Sequence, residues 1–353
     1  MSPSDPVTAA LDAVASGENL STEQTAGVMA QIMSGEVSEI QIAGFLIALR
    51  TKGETVDELT GLAATMRALA TPVTVDRGDL LDTAGTGGGR RTFNVSTTAA
   101  LIAAGAGCVV AKHGNRSATG LSGSADLLEA LGARIDLGPE QVARCIEQVG
   151  FGFMFAPAHH QATRYVVPVR RELAVRTIFN FLGPLTNPAG AERQLIGVSD
   201  SHYLETMALA LGRLGTRHAL VVSSVDGLDE LSISAPTTVY EVRPGSANRY
   251  VVTPEDVGLA RAPAAAIPGG GPTENAVIAR AILSGEHGPT HPSRALAVFN
   301  AGAAIYAGGA AESLAGGVAA AQAAIDSGAA LAALERFVEA TRRLAGDPEP
   351  SRP

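Results

Sequence analysis

The chain has 353 residues, 46% of them apolar and 17% charged, with no tryptophan. That length allows one large or two modest domains with ample core, and a net charge of −9 excludes a general binder of nucleic acid or membrane surfaces, which needs a basic face. Cys108 and Cys145 stand far apart without metal-ligand spacing and read as core thiols in a reducing cytoplasm. With neither a basic-then-apolar leader nor an apolar run of about 18 residues, a soluble, unexported protein is expected.

Residues 1–72 read as helices. Stretches 7–15, 22–33, 39–51 and 56–69 carry apolar residues at helical spacing. Ser38, with Gln41 three residues on, makes a capping-box start, and Gly35 and Gly53 punctuate. No chemical groups cluster here, so this part reads as a packing module.

From Val73 the period changes. Short apolar strands at 80–83, 109–112, 151–155, 194–198 and 217–223 alternate with helices such as 124–131, 139–149 and 203–214. That alternation predicts an α/β class with a largely parallel sheet. Ligands of such sheets sit at the carboxyl ends of the strands.

The stretch 82–126 carries the strongest chemical signal. A first strand leads into Gly85-Thr86-Gly87-Gly88-Gly89, and Asn94, Ser96 and Thr97 then open a helix. Lys112-His113-Gly114-Asn115-Arg116 follow the second strand. Glycines let the backbone approach a ligand closely. A helix starting just after them aims unpaired N–H groups and a positive dipole end at it. Between Thr83 and Ala125 there is no acidic residue, while Arg90, Arg91, Lys112 and Arg116 are basic. The pattern predicts an anion site for phosphate groups. It is not a Walker A loop, because Gly89 is followed by Arg90, and it lacks the G-x-G-x-x-G spacing of dinucleotide folds.

Residues 156–188 differ from both parts. They hold His159, His160, Arg164, Arg170, Arg171 and Arg176, with a turn marked by Gly183, Pro184 and Pro188. Taken alone, Arg170 suits an ion pair with Glu172. Adjacent histidines point different ways on a helix and do not make a metal pair; His159 reads as a surface residue. After the strand at 217–223 come Asp226-Gly227, a turn signal, and Asp229-Glu230, the only tight acidic cluster that follows a sheet strand. On their own these two acids would be solvated. Residues 238–253 read as a hairpin with TVYEV and RYVV around a PGSAN turn, and the chain is helical from Pro268. A disordered tail is expected at 347–353.

Four motifs stand in order: GTGG at 85–88, N-x-S-T at 94–97, KHGNR at 112–116 and SGSAD at 122–126. With them the chain, from about residue 20 to 324, resembles the anthranilate phosphoribosyltransferases, which have a nucleoside phosphorylase type II-like fold. These enzymes join anthranilate to 5-phosphoribosyl 1-pyrophosphate in tryptophan synthesis. The resemblance implies a small all-helical domain, 1–72 completed by about 165–190, that also makes a homodimer contact. It implies a large α/β domain, 73–164 and 191–346, with a mainly parallel central sheet. Gly85, Gly88, Gly89, Thr92, Asn94, Val95, Ser96, Thr97, Lys112, His113, Gly114, Asn115, Arg116 and Ser124 would bind the donor. Gly85, Asn115, His160 and Arg170 would bind anthranilate, Arg170 through its carboxylate. Ser96, Asp229 and Glu230 would hold magnesium, two ions arriving with the donor. An aniline nitrogen has a free lone pair at neutral pH, so no acid–base residue is assigned.

One departure stands out. Relatives often carry Asp after GTGG, six positions before the Asn of N-x-S-T. Here Gly89 takes that place, the interval is one residue shorter, and Arg90 and Arg91 become candidates for direct phosphate contact. The other readings are a transferase of this fold with another aromatic acceptor, a pyrimidine nucleoside phosphorylase, and a non-catalytic homologue binding nucleic acid. The Asp229-Glu230 pair favours a metal–pyrophosphate donor over the second, and the negative charge disfavours the third.

Overall fold

The computed structural model describes residues 5–117 and 120–346. The expected disordered tail at 347–353 lies outside the described residues.

The first four helices are α1 Pro6–Ala15, α2 Thr22–Ser34, α3 Glu39–Lys52 and α4 Val56–Leu69. Capping boxes start α2, α3 and α4 at Ser21/Gln24, Ser38/Gln41 and Thr55/Glu58, satisfying N–H groups that a helix start leaves unpaired. Glu58 is fully buried but accepts from the Leu20 N–H (3.0 Å) and the Thr55 N–H (2.8 Å), and pairs with Lys52 at 3.0 Å. A buried charge is tolerated when it is paired in this way.

The remainder is α/β. Its elements are β1 Leu80–Gly85, α5 Val95–Gly105, β2 Val109–Gly114, α6 Ser124–Ala130, α7 Pro139–Val149 and β3 Phe151–Phe155. Then come the short helices α8 Ala156–His159, α9 Val167–Leu173 and α10 Phe179–Leu182. The sheet resumes with β4 Arg193–Gly197, α11 Leu204–Arg213, β5 His218–Ser224, β6 Thr237–Arg243 and β7 Ser246–Val252. The helices α12 Pro272–Leu283, α13 Pro292–Gly308, α14 Leu314–Asp326 and α15 Ala329–Ala345 follow.

The seven strands run in the order β3-β2-β1-β4-β5-β6-β7; the first five are parallel, and β6 and β7 are antiparallel additions at one edge. The chain winds outward from β1 to β2 and β3, then returns to the other side of β1 for β4 and β5. This reversal opens a crevice at the carboxyl ends of β1 and β4, the switch point where such sheets bind ligands. One apolar core joins α5, α12, α13, α14 and α15 to one face of the sheet. A second joins α1–α4 to Val166, Val169, Ile178, Phe181 and Leu182, then to Leu204, Leu211 and Val221. The segment between β3 and β4 thus packs on the N-terminal helices.

Two boundaries differ from the sequence reading. Strands β1 and β2 extend further than 80–83 and 109–112, because the parallel register continues through His113↔Met154, Gly114↔Phe155 and Gly85↔Gly197. Lys112 and His113 therefore lie within a strand. The hairpin turn is shorter than PGSAN. Arg243 pairs with Ser246 across Pro244-Gly245, with Gly245 at φ +78°, a left-handed conformation glycine adopts cheaply.

Candidate active site

A cavity of about 1150 Å³ occupies the crevice. The glycine loop, the start of α5, the end of β2, the 120–124 loop, residues 156–184 and Asp229-Glu230 all line it.

The glycine loop is held by the acidic loop beneath it. The Gly87 N–H donates to Asp229 Oδ2 at 2.9 Å, and the Thr86 N–H to the Gly197 carbonyl at 2.9 Å. Gly87 and Gly88 have φ of +65° and +83°, which side chains with a Cβ rarely adopt. A Cβ on Gly85 would lie 2.8 Å from Asp229 Oδ2, and one on Gly89 2.8 Å from Asp229 Oδ1. In this backbone an Asp at 89 would collide with Asp229, so the missing loop carboxylate and the close seating of Asp229 go together. Arg90, a candidate phosphate contact, is spent elsewhere. It pairs with Asp226 at 3.2 Å and donates to the Ala264 carbonyl at 3.0 Å. Arg91 lines the cavity, exposed and without a partner among the described residues.

Asp229 and Glu230 are half-buried rather than solvated. Burial raises the pKa of both; the neighbouring Asp229 charge pushes Glu230 further, well above the usual carboxylate range. Glu230 Oε2 is buried with no hydrogen-bond partner among the described residues. Two crowded carboxylates with an orphaned oxygen fit a divalent cation. Among the described residues no group of three His, Cys, Asp or Glu could hold a metal by itself. The donor set thus suits magnesium that keeps waters and phosphate oxygens. Asn300 on α13 fixes this loop, accepting from the Leu231 N–H and donating to the Leu231 carbonyl, each at 2.9 Å.

At the start of α5 no side chain caps the helix. Asn94 instead braces the cavity wall. Its amide donates to the Ser122 carbonyl (2.9 Å), and its oxygen accepts from Ser122 Oγ and from Asn275, both at 2.9 Å. The first-turn N–H groups are left to Ser96 and Thr97, and the Thr97 hydroxyl is buried without a partner. Thr92 spends its hydroxyl on the Phe93 carbonyl at 3.0 Å; Val95 is buried at the helix start, and Ser124 opens α6 beside the cavity.

The KHGNR residues divide. Lys112 is buried and turned back on β1, donating to the Thr83 carbonyl and, at 3.2 Å, to its hydroxyl. Burial lowers its pKa to about 8 against the opposing pull of Asp82. His113 lies 3.3 Å from the Gly183 carbonyl, and burial, with His160 and His159 nearby, pulls its pKa to about 3. Gly114 lies against Phe153 and Ser124. Asn115 is exposed at the cavity, and its oxygen accepts from the Arg116 N–H at 2.7 Å. Arg116 is held by Asp126 at 2.8 Å and by Glu129, so its guanidinium is not free for phosphate.

Arg170 also lines the cavity and makes no ion pair among the described residues; Glu172 does not pair with it. The guanidinium packs 5.6 Å from the Phe179 ring centroid, and burial lowers its pKa. A desolvated, unpaired cation is costly without an anion. His160 is also in the lining; its Nε2 is 3.1 Å from the Thr186 carbonyl and burial lowers its pKa to about 4. His159 is not a surface residue. It is fully buried because it stitches residues 156–160 to the linker after α4: its ring nitrogen lies 3.1 Å from the Thr71 carbonyl, and its own carbonyl accepts from the Thr71 N–H at 2.8 Å.

Two family models match the chain: the glycosyl transferase family helical bundle domain over residues 8–70 and the glycosyl transferase family a/b domain over residues 77–331. An anthranilate phosphoribosyltransferase of Symbiobacterium thermophilum is 53% identical over 337 residues, 95% of this chain and 98% of that protein. The chain belongs to the anthranilate phosphoribosyltransferase family. The crystal structure of the Thermus thermophilus family member superposes with a TM-score of 0.89 at 48% identity, covering 94% of this chain and 99% of that one. The Saccharomyces cerevisiae enzyme, in complex with PRPP and Mg, gives 0.88 at 27% identity, over 97% and 99%.

Within this family frame, sequence reading missed Arg176 and Ser199. Arg176 Nη1 and Ser199 Oγ each donate to the Gly87 carbonyl at 2.8 Å. Arg176 stood in the sequence as one of several arginines in a segment with few acids. Nothing local singled it out, because its partner lies 89 residues away.

Proposed function

We propose that this chain transfers the phosphoribosyl group from 5-phosphoribosyl 1-pyrophosphate to anthranilate, giving N-(5-phosphoribosyl)anthranilate and pyrophosphate. The observation that carries it is one cavity lined by two unlike sets of groups. Asp229, Glu230, the glycine loop and the uncapped start of α5 form one set. The unpaired Arg170 lines the same cavity.

The chemistry follows from those groups. Departure of pyrophosphate leaves an oxocarbenium-like ribose, so catalysis consists of aligning both reactants and stabilising the leaving charge. Loop N–H groups, those of Ser96 and Thr97, and Arg91 hold phosphate oxygens. Ser96, Asp229 and Glu230 hold magnesium, which when bound draws charge from the departing pyrophosphate; two ions arrive with the donor. Arg170 grips the acceptor carboxylate through its planar fork, with Asn115 and His160 beside it. The acceptor nitrogen then faces the anomeric carbon. Lys112 and Arg116 act from behind, one supporting the end of β1 and the other fixing the 115–126 loop. The helical unit pairs two copies of the chain, a reading supported by Ile40 on α3, 85% exposed.

The test is loss of anthranilate fluorescence on adding donor and magnesium. Loss that requires all three components supports the proposal. Phosphorolysis of a pyrimidine nucleoside without magnesium, and no loss with the donor, would overturn it.

A further inference from the structure

Arg176 lies on the segment between α9 and α10, which packs with the N-terminal helices, yet its side chain reaches the glycine loop of the α/β part. The backbone makes a sharp turn to bring it there. Ala174, at φ +52°, is the sole non-glycine residue in the left-handed region among the described residues. Such a conformation persists where surrounding structure enforces it and tends to collect at functional sites. The loop opposite has made room: a Cβ on Gly88 would lie 2.0 Å from Arg176 Nη1.

Only part of the guanidinium is used. Nη1 donates to the Gly87 carbonyl at 2.8 Å, whereas Nε and Nη2 are buried with no hydrogen-bond partner among the described residues. Those two nitrogens form one edge of the fork, the pair of parallel donors that matches two oxygens of a phosphate or carboxylate. A latch needing only Nη1 would leave this edge in water, where its donors cost nothing. The Phe181 ring, 5.7 Å from the guanidinium carbon, covers the side chain, and Arg176 lines the same cavity as Asp229, whose carboxylate its charge favours.

We propose that Arg176 is a further positioning residue for the transfer, whose Nε–Nη2 edge receives an oxygen pair of the donor's pyrophosphate while Nη1 keeps hold of Gly87. The inference rests on the proposed transferase reading. It gives the helical segment two arginines with separate duties: Arg170 takes the acceptor, Arg176 the donor's leaving group. Because Arg176 belongs to the segment packed on α1–α4 while the glycine loop follows β1, an oxygen pair on this edge would be held from both parts of the chain.

The experiment is calorimetric binding of pyrophosphate with magnesium, and separately of anthranilate, to the full chain and to Arg176→Ala and Arg176→Lys. Pyrophosphate affinity should fall about 10- to 100-fold in Arg176→Ala, with anthranilate affinity within about twofold of wild type. Arg176→Lys should recover a minor part, because an ammonium lacks the fork. Added guanidinium ion should raise donor kcat/KM of Arg176→Ala but leave wild type unmoved. An unchanged pyrophosphate affinity in a folded Arg176→Ala, or a loss confined to anthranilate, overturns the proposal, as does equal recovery by lysine. Failure of the transferase reading looks different: the wild-type chain itself then binds neither pyrophosphate nor anthranilate.

Discussion

Replacing Arg170 with alanine should weaken the acceptor selectively. The guanidinium has no carboxylate partner among the described residues and burial depresses its pKa, so it bears a desolvation cost that an incoming carboxylate relieves. A charge-assisted hydrogen-bonded contact contributes about 1.5–3 kcal/mol, which is about a 10- to 150-fold loss in kcat/KM for anthranilate. Truncation leaves no orphaned partner inside the protein, so the loss reports the acceptor contact itself rather than a broken pair. The packing on Phe179, 5.6 Å away, contributes roughly 0.5–1 kcal/mol to folding, so Tm should move by only a few degrees. Arg170→Lys should regain part of the rate, and Glu172→Gln should change nothing. The assay is two fluorescence titrations, each substrate varied in turn. An equal loss for donor and acceptor would refute the reasoning, since Arg170 would then act through the structure.

Asp229→Asn combined with Glu230→Gln should abolish turnover and raise Tm, because it removes two crowded, largely desolvated charges; normal activity at low magnesium would exclude the metal role. Gly197→Ala should shift the acidic loop, because its Cβ would fall 1.5 Å from the Asp229 carbonyl oxygen; a cost of about 1–3 kcal/mol in Tm-derived stability and a higher donor KM are expected, and wild-type values for both would contradict the geometry. Burial holds His113 and His160 near about 3 and about 4, below the value of about 6.5 in the unfolded chain. Between those values the unfolded state binds more protons at these two groups, so their share of the stability should rise with pH up to about 6.5, against the opposite slope from the raised Asp229 and Glu230. Thermal melts from pH 4.5 to 7 read this directly, and His160→Asn should reduce the slope.

The family and the cavity were legible in the sequence because their signals are local. GTGG, N-x-S-T and KHGNR each sit where a strand ends or a helix begins, so spacing alone put them on one rim. What spacing could not tell was which charged side chains are already satisfied. Arg90, Arg116 and Lys112 each look like phosphate ligands in a run free of acids. Their partners Asp226, Glu129 and the Thr83 carbonyl come from a distant loop, from α6 and from the neighbouring strand. Arg170 and Arg176 look alike in the chain, yet only the fold leaves one unpaired and sets the other against Gly87. His159 was misjudged for the same reason, since Thr71 lies 88 residues away.

The continuity between the N-terminal helices and the sheet has a consequence for synthesis on the ribosome. Met29, Phe45 and Leu62 are made early, but the core they belong to also needs Phe181, Leu211 and Val221. At roughly 5–20 residues per second, the first helices wait on the order of ten seconds or more for the strand that covers them. During that interval they expose an apolar face that no local partner can shield. The capping boxes at Ser21, Ser38 and Thr55 keep each helix wound meanwhile. A nascent chain stalled before residue 180 should therefore recruit a chaperone through these helices, and one stalled past residue 250 should no longer do so through them.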